Sequence, residues 1–166
     1  HLNLILRDEL AVPGQTIQEE DWPMPGVVGR ETLAGGVFAL MAHGGYGKAI
    51  HADVALGAIS SVELLQFAVY RDLGLEGWYD ILNSGYRFSA HGASDYSPCR
   101  TMSDCRTYVH GDNSPNVYKW LAGVAAGRSF FTTCPLLLLE VDGEKPGAQI
   151  HKRGAGPQRV TARVRV

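Results

Sequence analysis

Two polar residues directly follow apolar stretches of the sequence. His43 comes after "VFALMA" with three glycines close behind it, and Asp95 comes after "RFSAHGAS". In parallel α/β folds, functional side chains lie at the carboxyl ends of strands and on the loops that follow them. A neutral imidazole and a carboxylate are suitable ligands for zinc, manganese or iron, and a bound divalent ion lowers the pKa of its water toward neutrality. The two positions therefore indicate a site for metal-activated water.

Each of these residues also has an ordinary structural interpretation. A histidine after a strand is often a hydrogen-bonded loop residue, and an aspartate such as Asp95 often caps a turn. His91, four residues before Asp95, fits either the site or the strand. Glu63 lies in an apolar stretch, where a carboxylate needs a partner or a metal unless an edge strand points it outward. We assign no role to the three histidines in less suggestive positions, His51, His110 and His151.

The composition limits the class of protein. The chain has 166 residues, of which 45% are hydrophobic and 19% are charged, enough for one domain with a real core. A net charge of −2 gives no basic field for nucleic acid, so we expect no nucleic-acid partner. No run approaches the roughly 18 apolar residues of a membrane span. Of the three cysteines, Cys99 and Cys105 form a disulfide in an oxidising compartment or stay free thiols.

Up to Gly127 the sequence alternates predicted strands and helices. Strands are predicted at 2–7, 37–41, 60–67 and 87–91. Helices are predicted at 27–33, at 50–56, within 77–86 with a stop at Gly85, and from an N-cap at Ser114 to a stop at Gly127. This alternation is typical of a parallel α/β sheet or barrel. From Arg128 onward only strand and turn patterns occur. We therefore predict an α/β domain over residues 1–127 and the start of a β-rich, sandwich-like appendage over residues 128–166.

Several segments, in this order and spacing, resemble a known family. They are "GGVFALMAHGGYG", "DVALGAISSVELLQ", "WYDILNSGYRFSAHGASDY", "RTYVH" and "WLAGVAAGRSFFTTCPLLLLEVDGEKPG". The chain is similar to the C-terminal half of metallohydrolases of the PHP (polymerase and histidinol phosphatase) superfamily, and more closely to their CehA/McbA branch. The resemblance covers nearly the whole chain. It implies an α/β fold with part of a distorted, TIM-like (β/α) barrel, followed by a truncated β-rich segment.

The resemblance also implies a set of metal ligands. His1 corresponds to a ligand from a middle strand. His43 corresponds to the histidine of an Ala-His-Pro motif, although the sequence here is "AHGG" without the proline. Asp95 corresponds to the aspartate of a late Gly-Ser-Asp-type motif, and Ser97 stands where many relatives have a further histidine. The implied cofactors are divalent ions of zinc, manganese or iron.

The implied activity is hydrolysis of an ester, amide, carbamate or phosphoester bond in a small-molecule substrate by metal-activated water. Asp95 would serve as a ligand and accept the proton of the water. Arg100, Arg106 and Tyr108 would position the substrate. The alternatives are a non-catalytic, PHP-like binding module, associated with carbohydrate or a surface, and a plain α/β domain with incidental histidines.

The sequence is expected to be a piece of a longer protein. It opens on His1, directly before an apolar run, and ends in the alternating strand "RVTARVRV". The His-x-His motif that opens the family's domain would precede His1. We therefore expect this piece alone to bind metal weakly and to lack useful turnover. A soluble protein is expected, and a periplasmic or secreted one if a signal peptide lies upstream.

Overall fold

The computed structural model describes residues 2–5, 38–44, 49–66, 69–70, 73–96, 101–111, 115–151, 154–157 and 159–165. None of the helices in these ranges has the length and apolar character needed to cross a membrane. The elements, in chain order, are β1 (Leu2–Ile5), β2 (Phe38–Met41), α1 (Ile50–Ala55), β3 (Ser61–Gln66), β4 (Val69–Tyr70), α2 (Gly74–Asn83), β5 (Ser89–Ala93), β6 (Arg106–Val109), α3 (Val117–Ala125), β7 (Ser129–Thr132), β8 (Leu136–Val141) and β9 (Val160–Arg165). The helix predicted at 27–33 lies outside the described residues.

The first five strands form one sheet with the order β1-β2-β3-β4, and β5 pairs with β3. Strand β2 runs parallel to β3, with Met41 opposite Val62. Every residue of β3 is buried. Burial of this kind suits the continuous apolar run of β2, whereas β3 also buries the polar residues Ser61, Glu63 and Gln66.

The predicted partial barrel is wrong. Among the described residues the strands form the five-stranded sheet and two separate two-stranded sheets, β6-β7 and β8-β9, with no closed barrel. Strand β1 runs antiparallel to β2, with Leu2 opposite Met41, and both small sheets are antiparallel. A barrel of the implied type needs parallel neighbours all the way round. The alternation of strand and helix patterns agrees with the parallel pair β2 and β3 but does not fix the direction of every strand, as the antiparallel β1 shows.

The chain divides into two compact units, His1–Leu64 with Tyr70–Ser89, and Leu65–Val69 with Ala90–Val166. The boundaries fall within β3, β4 and β5. The core of the first unit includes Ala39, Leu40, Met41, Ile50, Val54, Ala58, Ile59, Val62, Leu64, Ile81 and Phe88. The core of the second unit includes Leu65, Ala90, Cys105, Leu121 and Val124.

Helix α2 belongs to the first unit and is held by its apolar face. Ile81 is buried, and the Trp78 indole Nε1 donates a hydrogen bond of 3.0 Å to the backbone oxygen of Phe88. The chain leaves the helix through Gly85, whose φ of 91° is in the left-handed region that glycine adopts without strain. The predicted stop at this glycine is confirmed.

Helix α3 belongs to the second unit. Its N-cap is Asn116, whose side-chain oxygen accepts a hydrogen bond of 3.0 Å from the backbone N–H of Lys119. The predicted N-cap at Ser114, a position outside the described residues, is therefore wrong, because the asparagine two residues later caps the helix. Gly127, with φ 71°, follows the helix as predicted.

The second unit also contains a close approach of β5 to β6. A Cβ on Gly92 would lie 2.6 Å from the Cys105 sulfur, and the Thr107 hydroxyl donates to the backbone oxygen of Gly92 at 2.7 Å. Cys105 is buried, and its sulfur lies 3.6 Å from the backbone oxygen of Leu65. Cys99 lies outside the described residues, and the disulfide or thiol state of Cys99 and Cys105 therefore stays a prediction.

Candidate functional site

His43 directly follows Ala42 at the carboxyl end of β2 and begins a turn. Its φ of 58° places it in the left-handed region, which is uncommon for a residue with a Cβ. Its side chain is half-buried. The backbone N–H of His43 donates a hydrogen bond of 2.8 Å to the carboxyl oxygen Oε2 of Glu63. A backbone outlier of this kind persists only where the surrounding structure fixes it, and here a buried carboxyl group does so.

Glu63 lies in the middle of β3 and is only 3% exposed. Its backbone oxygen accepts a hydrogen bond of 2.7 Å from the N–H of Gly44, so both its side chain and its main chain hold the turn after β2. The edge-strand interpretation of Glu63 is therefore wrong. A carboxyl group in the interior requires hydrogen-bond donors, and His43 supplies one of them.

Asp53 in α1 is a second buried carboxyl group of the first unit, 4% exposed. Sequence reasoning missed it. The sequence signal is the spacing of the buried residues. Asp53 and Val54 lie three and four residues after Ile50 and share its buried face of the helix. An acidic residue on the apolar face of a short helix is a candidate for a functional or buried hydrogen-bonded role.

Asp95 belongs to the second unit, two residues beyond β5. It is half-buried and has a φ of 50°, again in the left-handed region. The hydroxyl of the preceding Ser94 donates to the backbone oxygen of Cys105 at 3.1 Å and accepts from the backbone N–H of Cys105 at 3.4 Å. These bonds fix the loop that carries Asp95 to the start of β6. Left-handed backbone is tolerated by aspartate better than by most residues.

His91 lies inside β5 and is 6% exposed. Burial lowers its pKa from the usual value of 6.5 to about 4, so the imidazole is neutral at physiological pH. Of the two interpretations that the sequence left open, the buried strand position is the one observed.

The predicted substrate-binding residues Arg106 and Tyr108 lie on β6. The guanidinium carbon of Arg106 is 5.9 Å from the centroid of the Tyr108 ring, and that ring stacks on Phe130 of β7 at 5.3 Å. Arg106 is exposed, and Tyr108 is half-buried. These contacts form a packed aromatic and cationic face on the β6-β7 sheet. His1 and Arg100 lie outside the described residues.

The described residues bring His43 and Glu63 together, but they contain no group of three or more His, Cys, Asp or Glu side chains arranged to hold a metal ion. They do not by themselves form a complete coordination shell. His43 has the donor atoms of a ligand, and Glu63 is already engaged with the backbone of His43. Any complete site in the protein would need further ligands from outside the described part of the chain.

A comparison of the chain with protein-family models, curated proteins and solved structures finds no match. The similarity to PHP metallohydrolases therefore stays a prediction from the sequence segments quoted above. The geometry around His43 is the structural feature on which a functional proposal can rest.

Proposed function

We propose that this chain is part of a metal-dependent hydrolase that cleaves ester, amide, carbamate or phosphoester bonds in a small molecule. The observation that supports the proposal is the left-handed turn at His43, which a buried Glu63 holds at the carboxyl end of a parallel strand. Strained backbone retained in this way is concentrated at ligand-binding and catalytic sites. The carboxyl ends of parallel strands are also where such sites lie.

In this proposal His43 supplies an imidazole ligand, and Glu63 acts as a positioning residue through the backbone of His43. His1 and Asp95 are the further ligands that the resemblance implies, and Asp95 would also accept a proton from water. When bound, the divalent ion supplies an activated water and polarises the substrate oxygen. Any remaining ligands would come from outside the described residues.

The test is metal content combined with hydrolysis in the intact protein. The protein is stripped with a chelator, reloaded with zinc, manganese or iron, and assayed by elemental analysis and with p-nitrophenyl acetate and p-nitrophenyl phosphate. We expect stoichiometric metal and metal-dependent turnover in the parent protein, and loss of both in His43→Gln. The matched control is His51→Gln, because His51 is exposed on α1. Unchanged metal content and turnover in His43→Gln would reject the proposal.

The second candidate function is a non-catalytic binding module associated with carbohydrate or a surface. The observation that favours it is the lack of a three-residue metal group within the described residues. In that case the His43–Glu63 pair only stabilises the fold. The intact protein would then contain no stoichiometric metal, whereas replacement of Glu63 would still lower its stability.

A further inference from the structure

The second unit contains a pocket of about 360 Å³ beside the end of β6 and the first turns of α3. His110 and Gly111 line it from the chain that follows β6. Asn116, Lys119 and Trp120 line it from α3 and its cap, and Arg128 lines it from the chain that follows the helix. This volume is in the range of pockets that hold small molecules.

The charged residues among the described residues that line the pocket have one sign. Lys119 and Arg128 carry positive charge, and no carboxylate is among the described residues that line the pocket. Asn116 caps the N-terminus of α3, where the backbone N–H groups add partial positive charge. A concave surface of this composition attracts anions, and guanidinium and ammonium groups form charge-assisted hydrogen bonds with oxyanions.

His110 supplies an independent observation that points to a ligand. Its Nε2 is buried and has no hydrogen-bond partner in the described structure. Its backbone N–H donates to the backbone oxygen of Arg128 at 2.8 Å, which keeps His110 next to the arginine. Buried polar atoms without partners are rare in folded proteins, and such an atom beside a pocket is explained by a water, an ion or a ligand that bonds to it.

From this combination we infer that the pocket is a binding site for a small oxyanion, a compound with a phosphate or carboxylate group. Lys119 and Arg128 neutralise its charge, and His110 Nε2 forms a hydrogen bond to one of its oxygens. The flat side chain of Trp120 supplies an apolar wall for the rest of the molecule. The inference does not depend on the proposed hydrolase, because none of these residues belongs to the proposed metal site.

The test is calorimetric titration of the whole chain at low ionic strength with inorganic phosphate and, separately, with acetate. We expect saturable binding at one site that weakens as salt is added. Lys119→Gln, Arg128→Gln and His110→Phe should each weaken binding about tenfold or more, because each removes one charge-assisted or buried hydrogen bond. The matched control is Lys145→Gln, which removes the same charge from an exposed turn outside the pocket.

The anions distinguish the source of the oxyanion. Preference for phosphate identifies a phosphorylated ligand, and preference for acetate identifies a carboxylate. His110→Phe also tests the buried nitrogen, because an apolar ring of similar size should leave thermal unfolding unchanged or slightly raise its midpoint while it weakens binding. Absence of binding by both anions, or equal affinity in the control and the three pocket variants, would overturn the inference. Neither result bears on the proposed hydrolase, which is tested separately by metal content and hydrolysis.

Discussion

The carboxyl group of Glu63 and the backbone of His43 form a hydrogen bond between residues 20 positions apart in the chain. This bond connects a buried side chain to a backbone outlier. Because the carboxyl group is 3% exposed and holds the turn after β2, its removal acts both on packing and on the N–H group that it satisfies. Substitution tests the two contributions together.

Replacement of Glu63 by alanine should lower the free energy of unfolding by about 2–4 kcal/mol, because it leaves a cavity and deprives the His43 N–H of its acceptor. Glu63→Gln keeps an oxygen at the same distance along the side chain and should cost about half as much or less. Urea unfolding monitored by circular dichroism measures both. Equal losses in the two variants would contradict this account, because they would mean that neither the retained volume nor the retained oxygen stabilises the turn.

The buried imidazole of His91 predicts a pH dependence of stability. Its folded pKa of about 4 lies below the unfolded value of 6.5, so protons bind the unfolded chain more tightly. Above pH 6.5 both states are neutral and the group has no effect. As the pH falls from 6.5 toward 4, the folded state should lose about 2–3 kcal/mol relative to the unfolded state.

The measurement is urea unfolding at pH 7.5 and pH 4.5. The loss of unfolding free energy between pH 7.5 and pH 4.5 should be smaller by that amount in His91→Asn than in the parent protein. His51→Gln, which alters an exposed histidine, serves as the control and should leave the difference unchanged. If His91→Asn and the parent lose the same stability on acidification, the imidazole is not responsible.

For single residues, the sequence predicts a location where the neighbouring residues along the chain determine it. His43 could be placed at the end of a strand because the apolar run before it is long and uninterrupted. Its bond to Glu63 could not be predicted, since it depends on the pairing of β2 with β3. The sequence gives no sign of a role for His110, because the pocket that it lines with Lys119 and Arg128 forms only through the packing of α3.

Among the elements, α3 packs on β6 through a glycine. Gly123 is buried in the middle of the helix, and a Cβ at this position would overlap the side chain of Val109. The helix is therefore able to approach the strand at this point only because one residue lacks a side chain. The same contact places α3 beside the pocket that His110 lines.

Gly123→Ala should destabilise the protein by about 1–3 kcal/mol through overpacking, even though alanine is a better helix former by about 1 kcal/mol. Gly77→Ala is the matched control within a helix, because the nearest atom there is the end of the flexible Leu73 side chain at 2.7 Å. It should be nearly neutral or stabilising. Thermal unfolding measures both, and Val109→Ala in the Gly123→Ala background should restore part of the loss.

The elements themselves were largely predictable and their arrangement was not. Strands β2 and β3 and helix α1 form where hydrophobic runs and periodicity indicated them. The direction of β1 could not be predicted, because an antiparallel edge strand and a parallel one have the same short apolar pattern. The cap of α3 was misplaced because serine and asparagine are about equally good N-caps, and only the structure shows that Asn116 bonds the N–H of Lys119.

On the scale of the whole molecule, the second unit carries a two-stranded sheet, β8-β9, with apolar side chains on its surface. Leu137 and Leu139 are 57% and 45% exposed. Two-stranded sheets are only marginally stable alone, and exposed apolar side chains on them promote association between molecules. In β8 we therefore expect the exposed side chains to affect solubility and the half-buried ones to affect stability.

Leu137→Lys should leave the free energy of unfolding within about 0.5 kcal/mol of the parent, because the side chain is mainly in solvent. It should also reduce light scattering at high protein concentration. Leu138→Lys, on the alternate face of the same strand, is the comparison and should cost more stability because Leu138 is half-buried. Equal stability losses at the two positions would contradict the assigned alternation.

The closely packed thiol of Cys105 has a practical consequence. Since its sulfur faces the backbone oxygen of Leu65 and is covered where Gly92 passes, a thiol reagent reaches it only when the second unit opens locally. Cys134 is exposed, and we expect it to react at once. Labelling of Cys105 under native conditions should therefore be slow, and its rate should report the free energy of that opening and rise in any variant that loosens the packing of β5 on β6.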